Sequence, residues 1–228
     1  MKRLPLLLAL GLLSVCGAAE LSFDETLKEV HVPPDEKQVA TDFVFENKTD
    51  KPVTIARYDS TCSCMSVQVK GGKLIYQPGE KGVLRANFDM GNFSGTVDKA
   101  VQLWLKGDPA SDPSVKLTVR VHIPVIVNVE PKTLRWEVGA KPEPIVVSIV
   151  TDYEKPIHVL SAECGSDAFD IEVKTVENGK KYEMVVTPKT TETPSLGVIQ
   201  ITTDCPIPRH ATQRAFALVR QPVPGEKK

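Results

Sequence analysis

Apolar and polar residues alternate along most of this chain. From Val115 to Ile123 every odd position is apolar (115, 117, 119, 121, 123) and every even one polar. That period of two marks a half-buried antiparallel strand. Leu84, Ala86 and Phe88 alternate with Arg85, Asn87 and Asp89. Val39, Thr41, Phe43 and Phe45 share a face, and so do Val53 and Ile55. Turn-forming runs separate these segments: Asn47-Lys48-Thr49-Asp50, Gln77-Pro78-Gly79-Glu80 and Gly91-Asn92-Phe93-Ser94-Gly95. No amphipathic helix of useful length with caps is seen. Turn signals about 8–12 residues apart predict an all-β sandwich or barrel.

The pattern repeats. Thr49-Asp50-Lys51-Pro52-Val53-Thr54-Ile55 is echoed by Tyr153-Glu154-Lys155-Pro156-Ile157-His158-Val159, and Gly95-Thr96-Val97 by Gly197-Val198-Ile199. Cys62 and Cys64 fall near the place that Cys164 takes in the second half. Echoes in one order at nearly constant offset predict two related modules, 20–127 and 128–228. The joint lies where Pro124 and Pro131 bracket Val125-Ile126-Val127-Asn128-Val129, a stretch that reads as strand and therefore as a stiff connection.

The N-terminus reads as a secretory signal over residues 1–19. Lys2 and Arg3 precede an apolar run, Leu4 to Val15, too short to span a bilayer, and Gly17-Ala18-Ala19 offers a cleavage site before Glu20. Cys16 raises the alternative of a lipid anchor, but Val15 stands where a lipobox wants a small residue. The expected location is periplasmic or extracellular. No later apolar run is long enough for a transmembrane helix. Removal of Lys2 and Arg3 with the leader leaves 26 basic and 29 acidic residues, a net charge of −3. That balance, without aromatic-basic interleaving, argues against nucleic acid as a partner. The 18 prolines and 14 glycines beside 41% apolar residues suit a turn-rich β protein and not disorder.

Five short segments together resemble a known family: Phe43-Val44-Phe45-Glu46-Asn47, Lys51-Pro52-Val53-Thr54-Ile55, Cys62-Ser63-Cys64, Pro78-Gly79-Glu80 and Gly95-Thr96-Val97-Asp98-Lys99. They look like a bacterial exported Ig-like family catalogued as domain of unknown function fifteen-seventy-three. The resemblance covers about residues 23–123. Members often carry Cys-Gly-Cys-Thr where this chain has Cys62-Ser63-Cys64-Met65. The resemblance implies export and a fold of two tandem Ig-like antiparallel β-sandwiches, the second a degenerate repeat without Cys-x-Cys or Pro-Gly-Glu. It implies no activity.

Four cysteines follow the leader: Cys62, Cys64, Cys164 and Cys205, which allow three pairings. Cys164 and Cys205 both lie at strand ends, and a bridge between them would close a loop of about 40 residues, worth about 3–4 kcal/mol in the chain-entropy model. That pairing leaves Cys62 and Cys64 to each other or to a ligand. On an extended strand residues i and i+2 sit about 6.5–7 Å apart at Cα, beyond the 5.5–6 Å a disulfide prefers, so a Cys62–Cys64 bridge calls for a turn. Asp59-Ser60-Thr61 favours one. Three readings of the pair stand: a loop staple, a Cu(I) or zinc site with Met65 adding a thioether, and a thiol–disulfide exchange centre. A closed zinc site would need His31, His122 or a partner chain. No hydrolase, metalloprotease or phosphate-loop motif occurs. The expectation is a non-enzymatic structural or binding module of the cell envelope with an unidentified protein partner. Its rival is metal binding or dithiol exchange through Cys62 and Cys64.

Overall fold

The computed structural model describes residues 20–222, so the leader and the expected cleavage site lie outside the described residues. The first domain holds nine strands: β1 (Leu21–Phe23), β2 (Leu27–His31), β3 (Gln38–Asn47), β4 (Val53–Ser60), β5 (Met65–Val69), β6 (Ile75–Tyr76), β7 (Lys81–Asp89), β8 (Gly95–Leu105) and β9 (Val115–Ile123). The second holds β10 (Val127–Glu130), β11 (Thr133–Glu137), β12 (Ile145–Thr151), β13 (Val159–Cys164), β14 (Phe169–Glu177), β15 (Lys181–Pro188), β16 (Ser195–Thr203) and β17 (Thr212–Arg220). A one-turn helix, α1 (Pro208–Ala211), joins β16 to β17.

Each domain stacks two sheets. In the first their orders are β1-β3-β7-β5 and β2-β9-β8-β4-β6; in the second they are β10-β12-β15-β14 and β11-β17-β16-β13. Strand for strand these are one topology written twice, apart from the extra β6. The repeat that the sequence shows only in scattered echoes is complete in the ladders. The sandwiches are not wholly antiparallel: β2 runs parallel to β9, and β11 to β17. The cause is local. The first two strands of each domain continue in one direction but join opposite sheets, so the second lies beside the domain's last strand in the same sense.

Period-two patterning fills the cores. Every odd residue of β9 is buried, as are Phe43 and Phe45 on β3 and Leu84, Ala86 and Phe88 on β7. The first core closes at Ile123. The second contains Ile126 and Val127, so Val127 packs with the second domain, not with the first where the sequence reading put it. The two domains also touch. The Arg209 guanidinium on α1 donates to the Glu36 carbonyl, and the His210 ring N–H donates to the Pro34 carbonyl. His210 is buried, and desolvation, with help from Arg209, holds its pKa below the usual histidine value.

Candidate functional site

The Cys-x-Cys pair closes on itself. The Cys62–Cys64 disulfide spans 5.2 Å between Cα atoms, well short of the extended-strand distance, because the backbone turns there. Strand β4 runs on through Ser60 instead of turning at Asp59. The chain then reverses: the Met65 N–H donates to the Cys62 carbonyl at 3.3 Å. The Ser60 hydroxyl lies 2.7 Å from the carbonyl oxygens of both Cys62 and Met65. On the flanks the Thr61 N–H donates to Ala100 and the Asp89 N–H to Cys64. Both half-cystines are half-buried against the first core, with Ser63 exposed between them.

Met65 does not join the cysteines as a ligand. It opens β5, pairs with Phe88 and is buried in the core. His122 lies opposite Thr96 on β8, while Thr61 bonds Ala100 four residues along the same strand, about 13 Å away, and β8 itself intervenes. The histidines therefore sit apart from the cysteines. Among the described residues no group of three or more His, Cys, Asp or Glu is placed to hold a metal ion. Arg57, the nearest basic residue in sequence to the pair, is spent elsewhere: its guanidinium carbon lies 3.6 Å from the centroid of the Trp104 ring. Trp104 is buried outside the first core cluster, on the other face of β8 from Leu103 and Leu105, and donates its indole N–H to the Ala110 carbonyl, so it anchors the loop that follows β8.

The predicted Cys164–Cys205 bridge is absent; both are free thiols. The β13–β16 register explains it. Cys164 faces Ile199, while Val159, five residues back, faces Thr203, next to the start of the Cys205 loop. Five positions of strand put about 16 Å between the two ends. Both cysteines are at strand ends, but at opposite ends of the ladder. Cys164 packs instead over Gly197, and burial pushes the Cys205 thiol pKa up.

One cluster escaped the sequence reading because it depends on the parallel β2–β9 pairing. His31 and His122 are register partners, their rings stacked with centroids 4.3 Å apart. His122 Nδ1 lies 3.1 Å from the Thr96 hydroxyl. One step along, Arg120 donates two hydrogen bonds to Asp98, both at 2.7 Å, and one to Glu29 at 3.1 Å. The Arg120 guanidinium in turn holds the Asp98 carboxyl below the usual range.

The Pro-Gly-Glu turn at 78–80 closes with the Glu80 N–H donating to the Gln77 carbonyl at 2.9 Å and is tied to β3 by the Gly79 N–H, which donates to the Asn47 carbonyl at 2.7 Å. Residues 21–123 match the family model described as protein of unknown function, DUF1573. The first sandwich is a DUF1573 domain. None of the curated proteins is similar to this chain. Among solved structures, a protein of unknown function from Porphyromonas gingivalis W83 has 11% identity and TM-score 0.35, covering 89% of this chain and 100% of its own. The E. coli chaperone DraB has 15% identity and TM-score 0.33, covering 86% and 96%. The Vibrio cholerae VesB protease has 16% identity and TM-score 0.36, covering 46% of this chain and 32% of its own. Scores at this level carry no argument about function.

The outward faces of the DUF1573 domain and its neighbour differ. On the β1-β3-β7-β5 sheet, Asp42 accepts two bonds from Arg85, at 2.7 and 2.9 Å, and one from Lys70 at 2.7 Å. On the matching sheet of the second domain the cross-strand pair is Val146 with Val185, and Val146 is 50% exposed. The other sheet of the DUF1573 domain turns out the Glu29–Arg120–Asp98 row. Its counterpart turns out Leu196 (60% exposed), Val198 (40%) and Phe216 (40%), with Val198 facing Phe216 and Leu196 facing Leu218. In sequence, Val198 and Ile199 are adjacent and both apolar, so no alternation marks which of them faces out, which hides the face.

Proposed function

We propose that this chain is an exported, non-enzymatic binding module of the bacterial cell envelope that takes a protein partner on the outward face of β16 and β17. One observation carries the reading: Leu196, Val198 and Phe216 lie side by side in solvent where the DUF1573 domain carries an ion-paired row. Contiguous exposed apolar surface rimmed by polar residues is the usual mark of a protein contact, and the Gln200–Arg214 pair supplies such a rim. Export is supported by the leader-like segment and by the internal disulfide, which fits an oxidising compartment. The Cys62–Cys64 bridge then has a structural task, locking the turn between β4 and β5.

The test is site-specific photo-crosslinking in cells, with the reactive residue at Phe216 or Leu196 and, as a control, at Arg120 or Asp42. Discrete adducts at the first two positions and not at the controls support the reading. Equal adducts at all four, or none, overturn it. The Cys62→Ser/Cys64→Ser variant should keep the adducts. If it folds and loses them, dithiol exchange or metal binding through the pair becomes the better account.

A further inference from the structure

The second domain has a long open edge. Strand β14 ends its sheet and pairs on one side alone, with β15. Its counterpart β5 has five residues; β14 has nine, about 30 Å of strand, and most of it is exposed. Proteins usually shorten, cover or distort such an edge, because its free backbone groups template pairing with another strand. Here the bulge comes only at Thr175–Glu177, which leaves Ile171 to Thr175 regular.

We propose that β14 pairs antiparallel with β14 of a second copy of this chain, about a two-fold axis through Val173, joining two four-stranded sheets into one of eight. Charge complementarity selects both partner and register. A two-fold axis perpendicular to the sheet must pass through a residue, because opposed side chains in an antiparallel pair share a face. Centred on Val173, it sets Glu172 opposite Lys174 of the other copy, twice. Centred on Glu172, it would face glutamate with glutamate. Within one chain Lys174 already faces Glu183 across β15 and lies 3.5 Å from Glu172. The dimer therefore builds a carboxylate–cation–carboxylate row over three strands, the arrangement of Glu29, Arg120 and Asp98 in the first domain. On the opposite face Val173, 37% exposed at this edge, meets its own copy as a β-branched pair. This surface belongs to a different sheet from Leu196, Val198 and Phe216, so the two proposals stand or fall separately.

Sedimentation equilibrium on the purified protein should show a reversible dimer. Glu172→Lys alone, or Lys174→Glu alone, faces like charges across the axis twice and should weaken the dimer about tenfold or more. Mixed in equal amounts, the two variants face lysine with glutamate at both places and should associate with each other about as tightly as the parent does. That recovery also shows both variants to be folded. A monomer at every concentration reached, single variants that dimerise like the parent, or a mixture that recovers nothing, would each overturn the proposal.

Discussion

Asn47 and Thr151 hold the same place in the two sandwiches. Each ends the strand that follows the parallel-paired one, and each donates its backbone N–H across to the residue before the seventh or sixth strand of its domain, Glu80 or Lys180. Their side chains differ with the loop they must hold. In the first domain residues 70–80 make an excursion through a turn of 3-10 helix and β6. The Asn47 amide ties it down with bonds to the carbonyls of Tyr76 (2.9 Å) and Lys51 (2.7 Å), and its oxygen accepts from Thr49 N–H and hydroxyl. In the second domain a tight hairpin replaces the excursion, and one hydroxyl, Thr151 to the Gly179 carbonyl at 2.9 Å, is enough. One topology has thus been finished in two ways: at this connection the first domain makes an eleven-residue excursion held by a polar anchor, residues 70–80, where the second makes a three-residue hairpin, residues 178–180. On the matching β8–β9 and β16–β17 faces the first domain pairs Asp98 with Arg120, where the second exposes Leu196, Val198 and Phe216.

The two positions should therefore break differently. Asn47→Ala strands a buried carbonyl and two turn groups, which should destabilise the first domain by about 3 kcal/mol. Thr151→Val removes one bond and should cost the second domain about 1 kcal/mol. The chain's two tryptophans, Trp104 and Trp136, lie one in each domain, so denaturant unfolding of Trp104→Phe and Trp136→Phe backgrounds reports each domain separately. Equal losses at the two sites would erase the distinction.

Tight backbone approach occurs in both domains against different neighbours. A Cβ on Gly82 would lie 2.4 Å from Phe45 Cζ and 2.6 Å from Tyr76 Cε1; one on Gly197 would lie 2.6 Å from Cys164 Sγ and 2.8 Å from Phe169. Either Gly→Ala change should cost about 2 kcal/mol through overpacking. Only the second can be relieved by removing a sulfur. Gly197→Ala with Cys164→Ala should be more stable than the sum of the two single losses, by about 1 kcal/mol. Simple additivity would show that Cys164 is not what Gly197 makes room for.

The cysteines sharpen the contrast at smaller cost. The Cys62–Cys64 loop is so short that the chain-entropy model gives it about 1.5 kcal/mol, against about 3–4 for the bridge the second domain lacks. Cys62→Ser/Cys64→Ser should lower first-domain stability by about that smaller amount and leave the second unchanged. Thiol alkylation in denaturant without reductant, followed by peptide mapping, should label Cys164 and Cys205 and spare the pair; a linked Cys164–Cys205 peptide would defeat the register argument. These residues also mark how far the sequence could be read. Alternation is a local signal, so the buried faces of β3, β7 and β9 were legible, and so was the need for a turn to bridge Cys62 and Cys64. Which end of a ladder a cysteine occupies is a matter of non-local register, and the text of the chain puts Cys164 and Cys205 both at strand ends without saying which. The same reason hid the parallel β2–β9 pairing and the His31–His122 stack that depends on it.

The smallest expected effect lies on the outward faces themselves. Hydrogen bonds from the Arg85 guanidinium, with Lys70 adding to them, hold the Asp42 carboxyl at about 2 against burial, which pushes the other way. An unfolded aspartate titrates near 4. As pH falls from about 5 to 2, the unfolded chain takes up this proton before the folded one does, so the stabilisation that is complete above about pH 5 fades over that window. Asp42 and its partners are about one-third exposed, and solvent screening keeps the contribution under about 1 kcal/mol. Asp42→Asn should accordingly flatten the acid limb of first-domain stability, read from Trp104, and leave that read from Trp136 unmoved. Val146, at the matching place in the second domain, has no charge to lose; a Val146→Thr change should leave both limbs as they are. An acid limb that survives Asp42→Asn intact would mean that the outward ion pairs of the first domain do not set its acid stability, and the contrast between the two faces would then be one of solubility and contact alone.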